Sequence, residues 1–334
     1  MNFSEEILAF SCAGERLHGV LARPALPASC GVLVLVGGPQ YRVGSHRQFL
    51  LLARRLAAAG YAVARFDYRG MGDSEGAARS FEQVGDDVAA ALDAFREACP
   101  QVDKLVLWGL CDAASAALLY CGERRDPRIA GLCLLNPWVR SEASLARTQV
   151  RHYYGQRLLQ REFWSKLARG QVPLLAAARG FAGSLRRAAA RRTAVASGAA
   201  APRPFPERMG AALRDFPGRV LLLLSGSDYV AREFADHAAG DPVWRAALAQ
   251  PRVARIDAAG ADHTFSSASW RALVERSTLE WLACLADCRW SSSPSARPAR
   301  ISDGGWSTAR PSPSSASPSA CSSPSARWRS WRAC

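Results

Sequence analysis

Short runs rich in Val, Leu and Ile recur along the chain, separated by Ala-rich stretches with helical spacing. The runs fall at residues 31–36, 61–66, 104–108, 129–135, 219–225 and 252–257. Runs that are apolar on successive residues, and so on both faces, suit strands buried between two layers of helix. Residues 49–59 and 81–98 read as crossover helices between them. An earlier pair of runs, 5–11 and 16–22 around Ala13 and Gly14, reads as an antiparallel hairpin at the sheet edge. The pattern predicts an α/β fold built on a mostly parallel, doubly wound sheet.

The spacing breaks once. The runs ending at Leu135 and beginning at Arg219 are much farther apart than one crossover helix with loops of about 2 to 6 residues requires. The Ala- and Arg-rich stretches 158–169 and 174–192 read as helices, so residues 139–215 are expected to form a helical cap over the C-terminal edge of the sheet. The core then divides into residues 1–138 and 216–288. From Arg289 the composition turns to Ser, Pro, Arg and Trp without periodicity. Residues 289–334 are therefore expected to be a disordered tail. The abrupt switch resembles translation in a shifted reading frame; a basic interaction tail is the other reading.

Composition narrows the function classes. The chain has 334 residues, 49% hydrophobic and 22% charged, which fits a globular protein and excludes disorder throughout. Its formal charge of +14 is concentrated: +11 in residues 139–215, +6 in 289–334 and −3 elsewhere. Only Lys104 and Lys166 among the 43 basic residues are lysines, so a coding bias toward Arg competes with selection for an anionic ligand. No zinc-finger, RNP or helix-turn-helix pattern accompanies the charge, and no nucleic-acid partner is expected. Ten cysteines lack the pairing or His partners of a zinc site or disulfide framework, so neither metal nor cofactor is expected. The opening MNFSEEILAF is acidic rather than basic, and no long apolar run follows. A cytoplasmic protein without a membrane span is expected.

The candidate chemistry lies at the ends of the apolar runs. Trp108-Gly109-Leu110-Cys111-Asp112-Ala113-Ala114 joins a predicted strand directly to a predicted helix. Small residues two before and two after a nucleophile are what a nucleophile elbow needs, because the turn is strained and crowded. Gly109 and Ala113 fill those places and Cys111 the centre. The dipole of the following helix would favour its thiolate. Alone, G-x-C-x-A fits a buried cysteine at a strand end equally well. Two later strand ends add the missing partners: Asp228, after Leu221–Ser227, and His263, in Gly260-Ala261-Asp262-His263-Thr264-Phe265. Nucleophile, acid and base then follow in the chain order of this class of site. An oxyanion hole would take one N–H from Asp112 and a second from the loop Gly37-Gly38-Pro39-Gln40. Proline has no N–H, so Gln40 is expected to supply the second; a tight turn is the plainer reading of that loop. His46 could line the site but reads more simply as the start of a helix.

Residues 1–288 resemble an α/β-hydrolase. Phe66-Asp67-Tyr68-Arg69-Gly70-Met71-Gly72-Asp73-Ser74-Glu75-Gly76 is similar to the segment after the fourth strand in that superfamily. With V-G-G-P-Q-Y-R-V-G-S-H, W-G-L-C-D-A-A-S and G-A-D-H-T-F-S, the chain most closely resembles the exosortase A system-associated hydrolase 1 family. The resemblance implies an α/β-hydrolase associated with a bacterial exosortase and exopolysaccharide system; the Cys111, His263 and Asp228 set itself is expected to hydrolyse an ester or thioester through an acyl-enzyme. Asp67 and Arg69 are expected to fix their loop. Dienelactone hydrolases also resemble the chain in placing Cys at the elbow. The expected partner is a small-molecule or carrier-bound acyl substrate, with the basic segment 139–215 favouring an anionic one. Acyl transfer to an alcohol, or a ligand-binding role without catalysis, are the rival readings. The substrate and the oligomeric state are not legible.

Overall fold

The computed structural model describes residues 2–26, 29–38, 40–140, 203–287 and 327–328. The opening hairpin is longer than the sequence pattern suggests, with β1 at Phe3–Cys12 and β2 at Glu15–Pro24. There follow β3 (Cys30–Leu35), α1 (Gln48–Ala58), β4 (Ala62–Phe66), α2 (Gly85–Ala98), β5 (Lys104–Leu110), α3 (Asp112–Arg124) and β6 (Ile129–Leu135). After the insertion come α4 (Phe205–Asp215), β7 (Arg219–Ser225), α5 (Tyr229–Gly240), α6 (Pro242–Leu248), β8 (Val253–Ala258) and α7 (Ala268–Asp287). A two-residue β9, Arg327–Trp328, pairs antiparallel with β8.

Among the described residues the strands form one sheet in the order β1-β2-β4-β3-β5-β6-β7-β8-β9. β1, β2 and the edge of β4 are antiparallel, and β4-β3-β5-β6-β7-β8 are parallel throughout. Every residue of β3 and β4 is buried, as strands covered on both faces must be. Alternation sorts their side chains into two cores. Leu33, Leu35, Leu105 and Leu107 pack with Phe95 of α2, Leu118 of α3 and Trp244 of α6. Val32, Val34, Val106 and Trp108 pack on the other face with Phe49 of α1 and Trp281 of α7.

The strand order reverses at β3. Chain connections leave β3 toward β4 on one side, while β5 lies on its other side. In an open parallel sheet such a switch point opens a crevice at the carboxyl ends of the two diverging strands. Here Leu35 of β3 is level with Gly109 of β5, so the loop after β3 and the turn after β5 rise side by side.

Residues 141–202, which hold most of the expected cap, lie outside the described residues, as does the tail apart from β9. The last part of segment 139–215 is α4, whose Met209 and Leu213 join the core beside α3 and α6. Among the described residues no helix is long and apolar enough to cross a membrane.

Candidate active site

β5 runs two residues past the expected strand end, because its ladder to β3 and β6 continues through Gly109 and Leu110. The chain then turns at Cys111, whose backbone lies at φ 63° and ψ −124° and caps the N-terminus of α3. A non-glycine residue held there stores strain on the order of 1 to 3 kcal/mol. The surroundings hold it: Cys111 N–H donates to the Leu135 carbonyl at 2.8 Å, and its own carbonyl accepts from Ala114 at 3.1 Å. Gly109 is required by crowding. A Cβ there would approach the Ala113 carbonyl carbon to 2.6 Å and the Ala114 nitrogen to 2.7 Å. Ser115 pins the turn from below, its hydroxyl donating to the Trp138 carbonyl at 2.7 Å and accepting the Trp138 N–H at 2.9 Å.

Asp228 ends the loop after β7 and is the N-cap of α5. Its carboxylate accepts from Val230 N–H at 3.2 Å and Ala231 N–H at 3.0 Å. His263 lies in the loop after β8, and its Nδ1 meets Asp228 Oδ2 at 2.8 Å. That contact leaves Nε2 free to face the Cys111 thiol, which lies close enough to help hold the imidazole proton. The Asp228 hydrogen bond, then the thiol, hold the imidazole proton and push His263 up to about 10 against the opposing effect of burial. Burial would raise Asp228, yet the His263 hydrogen bond and charge, with the two backbone donors, keep it below the usual carboxylate range. The structure thus brings Cys111, His263 and Asp228 together, with a hydrogen bond from His263 to Asp228. That arrangement can take the thiol proton and then return it to a leaving group.

The oxyanion donors differ from the expected set. Gln40 N–H is committed to the Gly38 carbonyl at 2.8 Å, and its side chain accepts from Ser45. It cannot also serve the site in this arrangement. The N–H that reaches the elbow belongs to Gly38, and it donates to the Asp112 side chain at 2.8 Å. Asp112 stands at the start of α3 as expected. His46 occupies a single 3-10 turn, Ser45–Arg47, just before α1. Asp67 and Arg69 do fix their loop: Asp67 is fully buried, accepts from Arg42 N–H at 2.7 Å and pairs with the Arg42 guanidinium, while Arg69 pairs with buried Asp87.

Asn136 is the residue that sequence reasoning missed. It is fully buried, at φ 45°, directly after β6. Its Nδ2 donates to the His263 carbonyl at 3.0 Å and its Oδ1 accepts Ser225 N–H at 2.9 Å, so it ties the histidine loop to the end of β7. The signal available was a polar residue closing the apolar run of β6. A cavity of about 520 Å³ opens beside the elbow, lined by Val36, Gly38, Gln40, Tyr68, Met71 and Asp112, among others. A larger one, about 1040 Å³, lies at the opposite ends of the strands, among Lys104, Ile129 and Arg208. It contains none of the site residues, whereas the smaller is lined by Gly38, Gln40 and Asp112, though not by Cys111, Asp228 or His263. Among the described residues no cluster of His, Cys, Asp and Glu could hold a metal ion.

Residues 28–177 match the family model described as serine aminopeptidase, S33. No curated protein matches the chain in sequence. Solved structures do resemble it. The esterase Pf2001 of Pyrococcus furiosus is 15% identical, with 84% of this chain and 93% of that one covered and a TM-score of 0.54. DcsB, in a complex with its substrate analogue, is 16% identical over 85% of this chain and 99% of that one, at 0.55. Est1E of Butyrivibrio proteoclasticus, with ferulic acid bound, is 15% identical over 82% and 99%, at 0.51. The chain has the α/β-hydrolase fold. In that fold a nucleophile elbow stands at a strand-to-helix turn of this kind; the matched family is named for serine enzymes, and this chain has Cys111 at the turn after β5.

Proposed function

We propose that this α/β-hydrolase-fold protein hydrolyses an ester or thioester through Cys111, His263 and Asp228. The observation that carries the reading is the 2.8 Å contact of Asp228 Oδ2 with His263, whose imidazole proton the Cys111 thiol on a strained turn also helps to hold. Cys111 attacks the acyl carbonyl as thiolate, forming the S–C bond. His263 passes its proton to the departing alkoxide or thiolate. Water then attacks the acyl-enzyme, giving its proton to His263 and releasing Cys111. Asp228 holds the imidazole in orientation throughout.

The neighbours named as esterases support the reaction class, and the apolar walls of the cavity suit an acyl chain. The motif resemblance to the exosortase A system-associated hydrolases favours a substrate met in exopolysaccharide production. The +11 charge of residues 139–215 favours an acyl group on an anionic carrier. The test is hydrolysis of a panel of activated esters, a neutral thioester and an acyl-CoA by the native protein and by Cys111→Ala and His263→Ala. Each variant is expected to lose on the order of 100-fold or more. Equal rates for native protein and Cys111→Ala would remove the nucleophile.

A further inference from the structure

The loop N–H that would meet a substrate oxyanion is already covered. Gly38 donates it to Asp112 Oδ2, the side chain of the residue after the nucleophile. The carboxyl is seated there by construction. Gly37 leaves the space it occupies, since a Cβ at 37 would overlap Asp112 Oδ1 and come within 2.6 Å of the Leu110 carbonyl. Oδ1 is buried and makes no hydrogen bond. The same carboxyl lines the cavity beside the elbow together with Tyr68, whose buried hydroxyl also has no partner among the described groups.

An anion in this position would repel the negative charge that develops on a substrate oxygen. A neutral carboxyl would do the reverse: its oxygen accepts from Gly38 while its O–H donates onward. We propose, resting on the thiol-hydrolase reading above, that the Asp112 carboxyl in its neutral form donates the second hydrogen bond to the oxyanion, in place of the loop N–H that it covers. As Cys111 attacks, the carbonyl electron pair moves to oxygen and is met by Asp112 N–H and by the carboxyl O–H. When the intermediate collapses the pair returns, and Asp112 keeps its proton. Asp112 is therefore a catalytic residue through its side chain as well as its backbone.

The groups around it set the balance. Burial raises the Asp112 carboxyl above the ordinary aspartate range; the nearby N–H groups of Gly38, Ala113 and Asp112 itself, and the charge of His263, oppose it. Tyr68 faces it from the loop after β4 and His263 from the loop after β8; among the described residues of the loop after β3, Gly37 and Gly38 stand against it while Gln40 and Tyr41 line the same cavity. Above its pKa the acid becomes an anion, so activity should fall as pH rises through that value.

The experiment compares Asp112→Asn and Asp112→Ala with the native protein. The amide keeps an acceptor for Gly38 and a donor for the substrate, and it does not titrate. Asp112→Asn is expected to lose less kcat/KM at low pH than Asp112→Ala and to lose the fall with rising pH that Asp112 causes. Asp112→Ala should lose about 100-fold in kcat, as removal of an oxyanion donor does. Iodoacetamide alkylation of Cys111 forms no oxyanion and should be unchanged in both variants, so loss of thiol reactivity would signal failure of the nucleophile reading instead. Separately, ¹³C NMR of the native protein should show the Asp112 carboxyl titrating above the other aspartates. Higher activity in Asp112→Ala would mean that the side chain merely plugs the site. That result, an unaltered pH profile in Asp112→Asn, or a carboxyl that titrates with the others, overturns the proposal.

Discussion

Asn136 shows what single residues contribute beyond the reacting groups. Its left-handed backbone, at φ 45°, is one that asparagine tolerates better than most residues. From there the amide reaches both the β7 end and the histidine loop. Asn136→Ala leaves Ser225 N–H without its partner in a buried setting, which should cost about 1 to 3 kcal/mol, read from urea denaturation. It should also lower kcat by loosening His263. Unchanged stability and rate would show that the loop holds itself. Cys111, Asp228 and His263 stood out in the sequence because each is a polar residue closing an apolar run, and the structure brings the three together. Asn136 closes such a run too, but its role depends on the direction its amide points. The Gln40 expectation failed for a similar reason: the sequence shows that Pro39 has no N–H, but not that Gln40 folds back onto the Gly38 carbonyl.

Strands and helices followed the apolar periodicity closely, and the differences have local causes. The helix expected from residue 81 begins at Gly85, after a turn in which Gln83 N–H donates to the Ser80 carbonyl. Asp87 in its first turn is then buried against Arg69. β5 outlasts its apolar run because backbone pairing to β3 and β6 does not end where hydrophobicity does. The junction of β5 with α3 is the element on which the site depends. Gly109→Ala places a methyl against the backbone of Ala113 and Ala114, and neither can yield without moving the elbow. Overpacking of this kind should cost about 1 to 3 kcal/mol and lower Cys111 reactivity in parallel. If Gly109→Ala melts like the native protein with full thiol reactivity, the turn is less constrained than its contacts indicate.

At the scale of the molecule, the reversal of strand order at β3 explains why residues so distant in sequence meet. It sets the Gly37-Gly38 loop beside the Cys111 turn, and the parallel run of β5 to β8 brings Asp228 and His263 to the same edge. Buried cores cover both faces of the sheet that carries that edge. The described cysteines then differ in kind. Cys12, Cys30, Cys99, Cys121 and Cys133 are buried, and burial pushes Cys12 up to about 11 and Cys30 up to about 12, whereas Cys111 and Cys284 are partly open and Cys111 alone of these two stands beside His263. The measurement that bears most directly on the account is mass spectrometry of the intact protein after brief incubation with activated esters and thioesters, followed by peptide mapping. An acyl adduct should appear on Cys111, persist longer in His263→Ala if it forms there at all, and be absent from Cys111→Ala. An adduct spread over several cysteines, or one that survives the Cys111→Ala change, would contradict a nucleophile at the elbow.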